Sequence, residues 1–159
     1  MPELQSLSPD HGPALLAFER ENRAYFAASV PDRGEEYFAR FEERLRALLA
    51  EQAAGDCFFH VVTGADGEVL GRVNLYEVAD GSAELGYRVA ERAAGQGLAT
   101  WAAREMCARA GERYGLTVLT ARTTLDNAAS RAVLARTGFT VVGGTRLNGR
   151  PGLSYRRSL

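Results

Sequence analysis

"VAERAAGQGLATWAAREM", Val89 to Met106, is the stretch on which the reading of this chain turns. It runs from a short apolar strand, through two glycines placed two apart, into an amphipathic helix. A strand running straight into a helix leaves about four N–H groups unpaired at the helix start. Glycine lets the backbone approach a ligand closely and adopt unusual φ values. Together with the helix dipole, these features make an anion site. A tight turn built only for packing is the competing reading of the same residues. Two nucleotide patterns fail here. The Walker pattern needs Gly-Lys-Ser/Thr, and Gly97 is followed by Leu98-Ala99. The dinucleotide fingerprint needs a third glycine where Thr100 stands, after an early parallel strand.

The segments before the loop read as hairpins. "CFFHVVTG", "VLGRVNLYEV" and "AELGYRVA" are short apolar or alternating runs, separated by the turn signals "ADGE" and "ADGS", and they predict an antiparallel meander of three strands. Further upstream, "ELQSLS" (3–8) predicts a short first strand. Residues 8–29 are helical in composition and open on Ser8-Pro9-Asp10. A second helix is predicted over Asp32 to Ala54, where Tyr37, Phe38, Phe41, Leu45, Leu48 and Leu49 recur at helical spacing. Downstream, Gln96 to Tyr114 predicts a helix stopped by Gly115, and 116–124 a β-branched strand. Residues 126–137 predict a helix capped by Asp126 and ended by Gly138. Strands over 139–147 and 153–159 follow. The sum is a single α+β domain over 1–159, with a mixed, mostly antiparallel central sheet flanked by helices.

Composition narrows the function classes. The formal net charge of -1 argues against wholesale nucleic-acid or anionic-membrane binding. There is no lysine, so no Schiff base or lysine nucleophile is available. Cys57 and Cys107, the two cysteines, lack the spacing of a zinc site or a disulfide framework. No basic-then-apolar leader and no run of ~18 apolar residues is present. These features predict a soluble cytoplasmic protein without a metal.

A joint pattern gives the glycine loop its context. Arg92-Ala93-Ala94-Gly95-Gln96-Gly97 is followed by a strand, by Asn127-Ala128-Ala129-Ser130 and by Gly138-Phe139. The combination resembles the GNAT superfamily of N-acetyltransferases, whose pyrophosphate loop is Gln/Arg-x-x-Gly-x-Gly/Ala. Within it the chain is most similar to the Rim-type branch, the ribosomal-protein N-terminal acetyltransferases. The resemblance implies that the ligand is acetyl-CoA, with its pyrophosphate on the amides of about Ala94 to Thr100, through Gly95, Gln96, Gly97, Leu98 and Ala99. It implies a pantetheine arm beside the strand ending at Val89 and Ala90, with Asn127 bonding a pantetheine amide. Many members carry a basic residue where Ala94 stands; either pyrophosphate affinity is lower here or another arginine substitutes, with Arg92 and Arg136 as the candidates.

Acetyl transfer to an amine needs removal of a proton, stabilisation of the thioester oxygen and a tolerated thiolate. Glu84 is the expected base, because it opens the strand beside the cofactor and a carboxylate near a partly dry cleft has a raised pKa. A structural Glu84 satisfied by Arg88 or backbone is the alternative, with a water chain moving the proton. Many GNAT members place a tyrosine acid where Leu134 stands here. The Rim-type branch offers Ser130 instead, and helical spacing puts Asn127, Ser130 and Leu134 on one face. His60 reads as a partner-satisfied strand histidine and His11 as an exposed one. By resemblance, Glu21, Asn22 and Arg33 in "ERENRAYFAASVPDR" (19–33) grip the acceptor, and acidic residues there attract a cationic amine.

The expected acceptor is an amine, tilted toward a protein or peptide α-amine, with polyamines, amino sugars and drugs as alternatives. A non-catalytic acyl-CoA sensor and a nucleotide-binding or interaction module are the rival classes. The chain is expected to be a monomer or a homodimer, with the "SYRRSL" end joining a dimer or lying in solvent.

Overall fold

The computed structural model describes residues 1–159. Strands β1 (Glu3–Ser6), β2 (Phe58–Thr63), β3 (Val69–Ala79) and β4 (Ser82–Val89) pair antiparallel in sequence order. The predicted meander therefore forms, with a first strand added at its edge. β4 then pairs parallel with β5 (Val118–Thr124) over three positions only, Ser82↔Val118, Ala83↔Leu119 and Glu84↔Thr120. β6 (Thr140–Leu147) and β7 (Arg150–Ser158) complete a seven-stranded sheet in the order β1-β2-β3-β4-β5-β7-β6. β7 lies between β5 and β6, so both its edges are taken. Any strand-to-strand self-association at that end would use β6, where Val141 and Val142 are exposed.

Helices cover both faces. The strand alternation sends Val62, Val73, Leu75 and Leu85 to one side. There they pack with Ala102, Ala103, Met106 and Ala110 of α5 (Leu98–Glu112) and Leu134 of α6 (Ala128–Arg136). The buried alanines let α5 lie close on the sheet. Phe59, Val61 and Val69 point the other way, to Leu15 and Phe18 of α1 (Gly12–Glu21) and Leu45 of α4 (Phe41–Ala53). Each fully buried Leu or Phe contributes roughly 1.5–3 kcal/mol.

The last strand starts at Arg150, ahead of the expected 153, and three other boundaries differ from the sequence reading for a local reason. The helical run over 8–29 breaks at Asn22, whose φ is -105 and ψ 10, before α2 (Arg23–Ala27). The Asn22 side chain is drawn into tertiary hydrogen bonds at this point. The helix expected over 32–54 starts at Glu35 as α3 (Glu35–Ala39) and breaks at Arg40, with φ -115 and ψ 31, before α4. Helix α6 is capped by Asn127, whose side-chain oxygen accepts from the Ser130 N–H, and not by Asp126. Asp126 is instead ion-paired with Arg150.

Candidate active site

The site starts from the short β4–β5 pairing. Beyond Glu84 the two strands diverge, so the β4 edge from Leu85 to Val89 has no strand partner on that side. Between them opens a cleft of about 420 Å³, within the ~300–1,000 Å³ range of small-molecule sites. Tyr87 and Val89 of β4 form one wall, and Asn127, Ser130, Val133 and Arg136 the other. The loop before α5 closes one end, through Ala94, Gly95 and Gly97, with Leu98, Ala99 and Thr100 in the first turn. Tyr25, Phe26 and Val30 also line the cleft.

The loop is an amide cradle. None of the six backbone N–H groups from Gly95 to Thr100 donates to an acceptor within the protein. Gly95 and Gly97 take φ of 72 and 79, and a Cβ added at either would meet nothing within 4 Å. These positions need glycine for the left-handed backbone and not for room. The Ala94 amide bonds the Glu91 carbonyl at 3.1 Å, so the cradle begins one residue later than expected. Arg92 and Gln96 are exposed and outside the cleft lining; the Gln96 side chain turns back to the Arg92 carbonyl at 3.2 Å. Of Arg92 and Arg136, only Arg136 lines the cleft. A free row of amides at a helix N-terminus fits the pyrophosphate of a coenzyme A derivative.

On the cleft lining two hydroxyls meet. Tyr87 Oη lies 3.0 Å from Ser130 Oγ, bridging β4 to α6. Burial pushes the Tyr87 hydroxyl above its ordinary value, against its hydrogen bond with Ser130, which lowers it. Leu134 is 1% exposed and belongs to the core, so Ser130 and not position 134 faces the cleft. Tyr87 was missed in the sequence, because a contact across 43 residues has no local signature.

Glu84 sits at the fork of the two strands, outside the cleft lining. Its carboxylate is gripped by Arg122, with Nε to Oε1 at 3.0 Å and NH2 to Oε2 at 3.1 Å. No Asp, Glu or His lines the cleft. His60 is 1% exposed and bonds Tyr114 Oη at 2.8 Å. His11 bonds Gln5 at 2.8 Å and accepts from the Ser8 N–H at 3.0 Å. Cys107 is buried among core residues, and burial raises the pKa of both Cys57 and Cys107. No cluster of three metal-ligating side chains comes together.

On the acceptor side the three named residues part company. Glu21 is exposed and makes no side-chain hydrogen bond. Asn22 is 5% exposed; its Nδ2 donates to the Phe18 carbonyl and its Oδ1 accepts from the Glu91 N–H, both at 2.9 Å. It ties α1 to the loop that carries the cradle. Arg33 donates to Glu19 at 2.9 and 3.3 Å, beside but not in the main cleft.

Comparison with known proteins gives this arrangement a family. The chain belongs to the acetyltransferase (GNAT) domain family, whose model matches residues 3–140. It is accordingly an acyltransferase dependent on acetyl-CoA. Among curated proteins none matches the sequence significantly. Several solved structures share the fold. The ribosomal-protein-S5-alanine acetyltransferase from Vibrio fischeri matches with a TM-score of 0.92 at 18% identity, covering 99% of this chain and 92% of its own. RimJ from Mycobacterium smegmatis, in complex with CoA-disulfide, gives 0.87 at 24% identity, covering 99% and 81%. The spermidine N-acetyltransferase from Vibrio cholerae, in complex with CoA and spermine, gives 0.80 at 18%, covering 99% and 95%.

Proposed function

We propose that this protein transfers the acetyl group of acetyl-CoA to an α-amine that attacks directly, without a side-chain base. The observation that carries the donor half is the row of free amides from Gly95 to Thr100 at the head of the cleft. Acetyl-CoA supplies an acetyl thioester. The cradle and Arg136 would hold its phosphates, while the unpaired β4 edge and the Asn127 amide would receive its pantetheine arm.

The observation that carries the acceptor half is the missing carboxylate. An α-amine has a pKa near ~8, so roughly a tenth is neutral at pH 7. An alkyl amine near ~10.4 is neutral in only about one molecule in 2,500 and needs a base beside it. The cleft offers none, since Glu84 is engaged by Arg122, so solvent takes the proton of an α-amine. Tyr87 and Ser130 would hydrogen-bond the sulfur as it becomes a thiolate. A phenol held above ~10 does not yield its proton to a thiolate near ~8.5, so it acts by hydrogen bonding and not by full transfer. A protein or peptide N-terminus meets these requirements. A polyamine meets them less well.

Titration calorimetry with acetyl-CoA, with ATP and NAD as controls, tests the donor. Selective binding of acetyl-CoA is expected, and no binding up to about millimolar overturns it. A non-catalytic acyl-CoA sensor would share the lack of a base. It predicts binding with no turnover of any α-amine, whereas we expect turnover. We place the reaction in the cytoplasm, on the strength of two unpaired cysteines and of helices none of which is long and apolar enough to cross a membrane.

A further inference from the structure

We propose that the acceptor carries an anionic group close to its amine, and that Arg88 on the cleft wall and Arg33 beside it, gathered with Arg72 around Glu19, hold that group. The inference rests on the reading of the cleft as an acetyl-CoA site.

Glu19 on α1 is 2% exposed, and all three arginines reach it. Arg72 NH1 donates to Oε2 at 2.8 Å, Arg33 Nε to Oε1 at 2.9 Å, and Arg88 NH1 to Oε1 at 3.3 Å. One carboxylate therefore faces three guanidinium groups, which leaves two positive charges uncompensated within the cluster. The nearby Asp32 and Glu35 are both bonded to Arg23, which leaves one negative charge there and a net positive charge over the whole group. Arg72 is 4% exposed and its Nε has no partner. Arg72 lines neither the cleft nor the notch, so it holds Glu19 in place and leaves the ligand to Arg33 and Arg88. Burial, with Arg33 and Arg72 as like-charged neighbours, makes Arg88 release its proton more readily than an ordinary guanidinium.

The cluster is preorganised and well placed. The Arg88 guanidinium lies 4.5 Å over the Phe26 ring, and that of Arg33 lies 4.8 Å over Tyr37. Such stacking fixes the guanidinium planes while leaving their edges for planar oxyanions. Arg88 and Phe26 line both the main cleft and a notch of about 10 Å³ beside Glu19 and Arg33. That is roughly the room of one water-sized group. Tyr87 and Val89, the neighbours of Arg88 in β4, are on the cleft wall. An anion on the cleft side of Arg88 would therefore sit next to the reacting groups, in a cleft lined by no carboxylate, with Glu19 and Asp32 in the notch behind. A purely structural cluster would fasten α1 to the sheet and leave acceptor choice untouched.

The test uses matched acceptors that differ only in the anion. Tetrapeptide amides opening with Asp or with Asn, and serine amide with or without an O-phosphate, separate charge from shape and carboxylate from phosphate. Spermidine is the cationic control. We expect kcat/KM at least tenfold higher for the anionic member of a pair, and a ratio near one in Arg33→Gln. Two arginines still hold Glu19 in that variant, and a thermal melt checks its fold. Equal or better use of the neutral member or spermidine overturns the proposal. So does a ratio that survives in both Arg33→Gln and Arg88→Gln. If acetyl-CoA binds but no acceptor turns over, titration of the CoA-saturated protein with succinate and with inorganic phosphate decides. Heat that is lost in Arg33→Gln supports the anion site, and no heat overturns it. If acetyl-CoA itself fails to bind, the donor reading falls separately, and the same titration without CoA still judges the arginines.

Discussion

Gly97 holds φ at 79 with open space where a Cβ would go. A valine there meets no clash but must adopt a left-handed backbone that costs roughly 1–2 kcal/mol. Gly97→Val is expected to weaken acetyl-CoA binding at least tenfold by calorimetry, while the melting temperature moves by a few degrees at most. Tyr87 carries a different kind of role. Tyr87→Phe removes only the hydroxyl 3.0 Å from Ser130. A hydrogen bond to a developing charge is worth about 1.5–3 kcal/mol, so kcat should fall about tenfold or more with acetyl-CoA affinity nearly unchanged. An unaltered kcat would mean that the thiolate leaves unaided. Glu84 is the position where strand pattern suggested a base and the fold supplies Arg122 as its partner. Glu84→Gln is expected to leave turnover within about twofold and the pH–rate profile in place. A hundredfold loss with a changed acid limb would restore Glu84 as the base. The glycines were legible because a loop conformation is a local property. Tyr87 with Ser130 and Glu84 with Arg122 were not, because each pair is made by distant segments.

Among the elements, the junction of α1 with the loop before α5 matters most for the site. Asn22 ends α1 by turning its side chain to the Phe18 carbonyl and the Glu91 N–H. The residue expected to grip substrate is instead a buried tie under the cradle. Asn22→Ala leaves the Glu91 N–H unsatisfied, at about 1–3 kcal/mol, while the Phe18 carbonyl keeps the backbone N–H of residue 22. That should lower the melting temperature by several degrees and weaken acetyl-CoA binding more than a substitution at exposed Glu21 does. Equal effects at the two positions would count against this role. Element identities were legible from hydrophobic period and turn residues: the meander, α5 and α6 appear where the sequence puts them. The breaks at Asn22 and Arg40 were not, since helical composition continues through both.

At the scale of the molecule, two cores sandwich one sheet, and a titratable group is enclosed in them. His60 is 1% exposed, and its imidazole is pushed down to about 4 by burial, with Arg109 and Arg113 adding repulsion. Its unfolded value is near ~6.5. The unfolded chain therefore binds the extra proton first as pH falls. Stability should be level above about pH 6.5 and decline toward pH 4, by about 3 kcal/mol at the full shift of roughly 1.4 kcal/mol per unit. Denaturant melts at pH 7 and pH 4.5 check this, and a His60→Asn variant should lose most of the difference. Glu19 is held low by Arg72 and Arg33 against its burial. Its contribution is lost only below the ordinary carboxylate range near ~4.3, so the two effects separate on the pH axis.

The order of strands and helices, the left-handed glycine loop and the capped helix that follows β5 were determined by the sequence itself. Each depends on residues within a few positions of one another, where backbone propensity and hydrophobic period act. The parting of β4 from β5 beyond Glu84, the hydroxyl pair across the cleft and the three arginines on one buried carboxylate were decided only by the tertiary structure. They join residues up to 69 positions apart, and only the packed sheet and helices bring such residues within hydrogen-bonding reach.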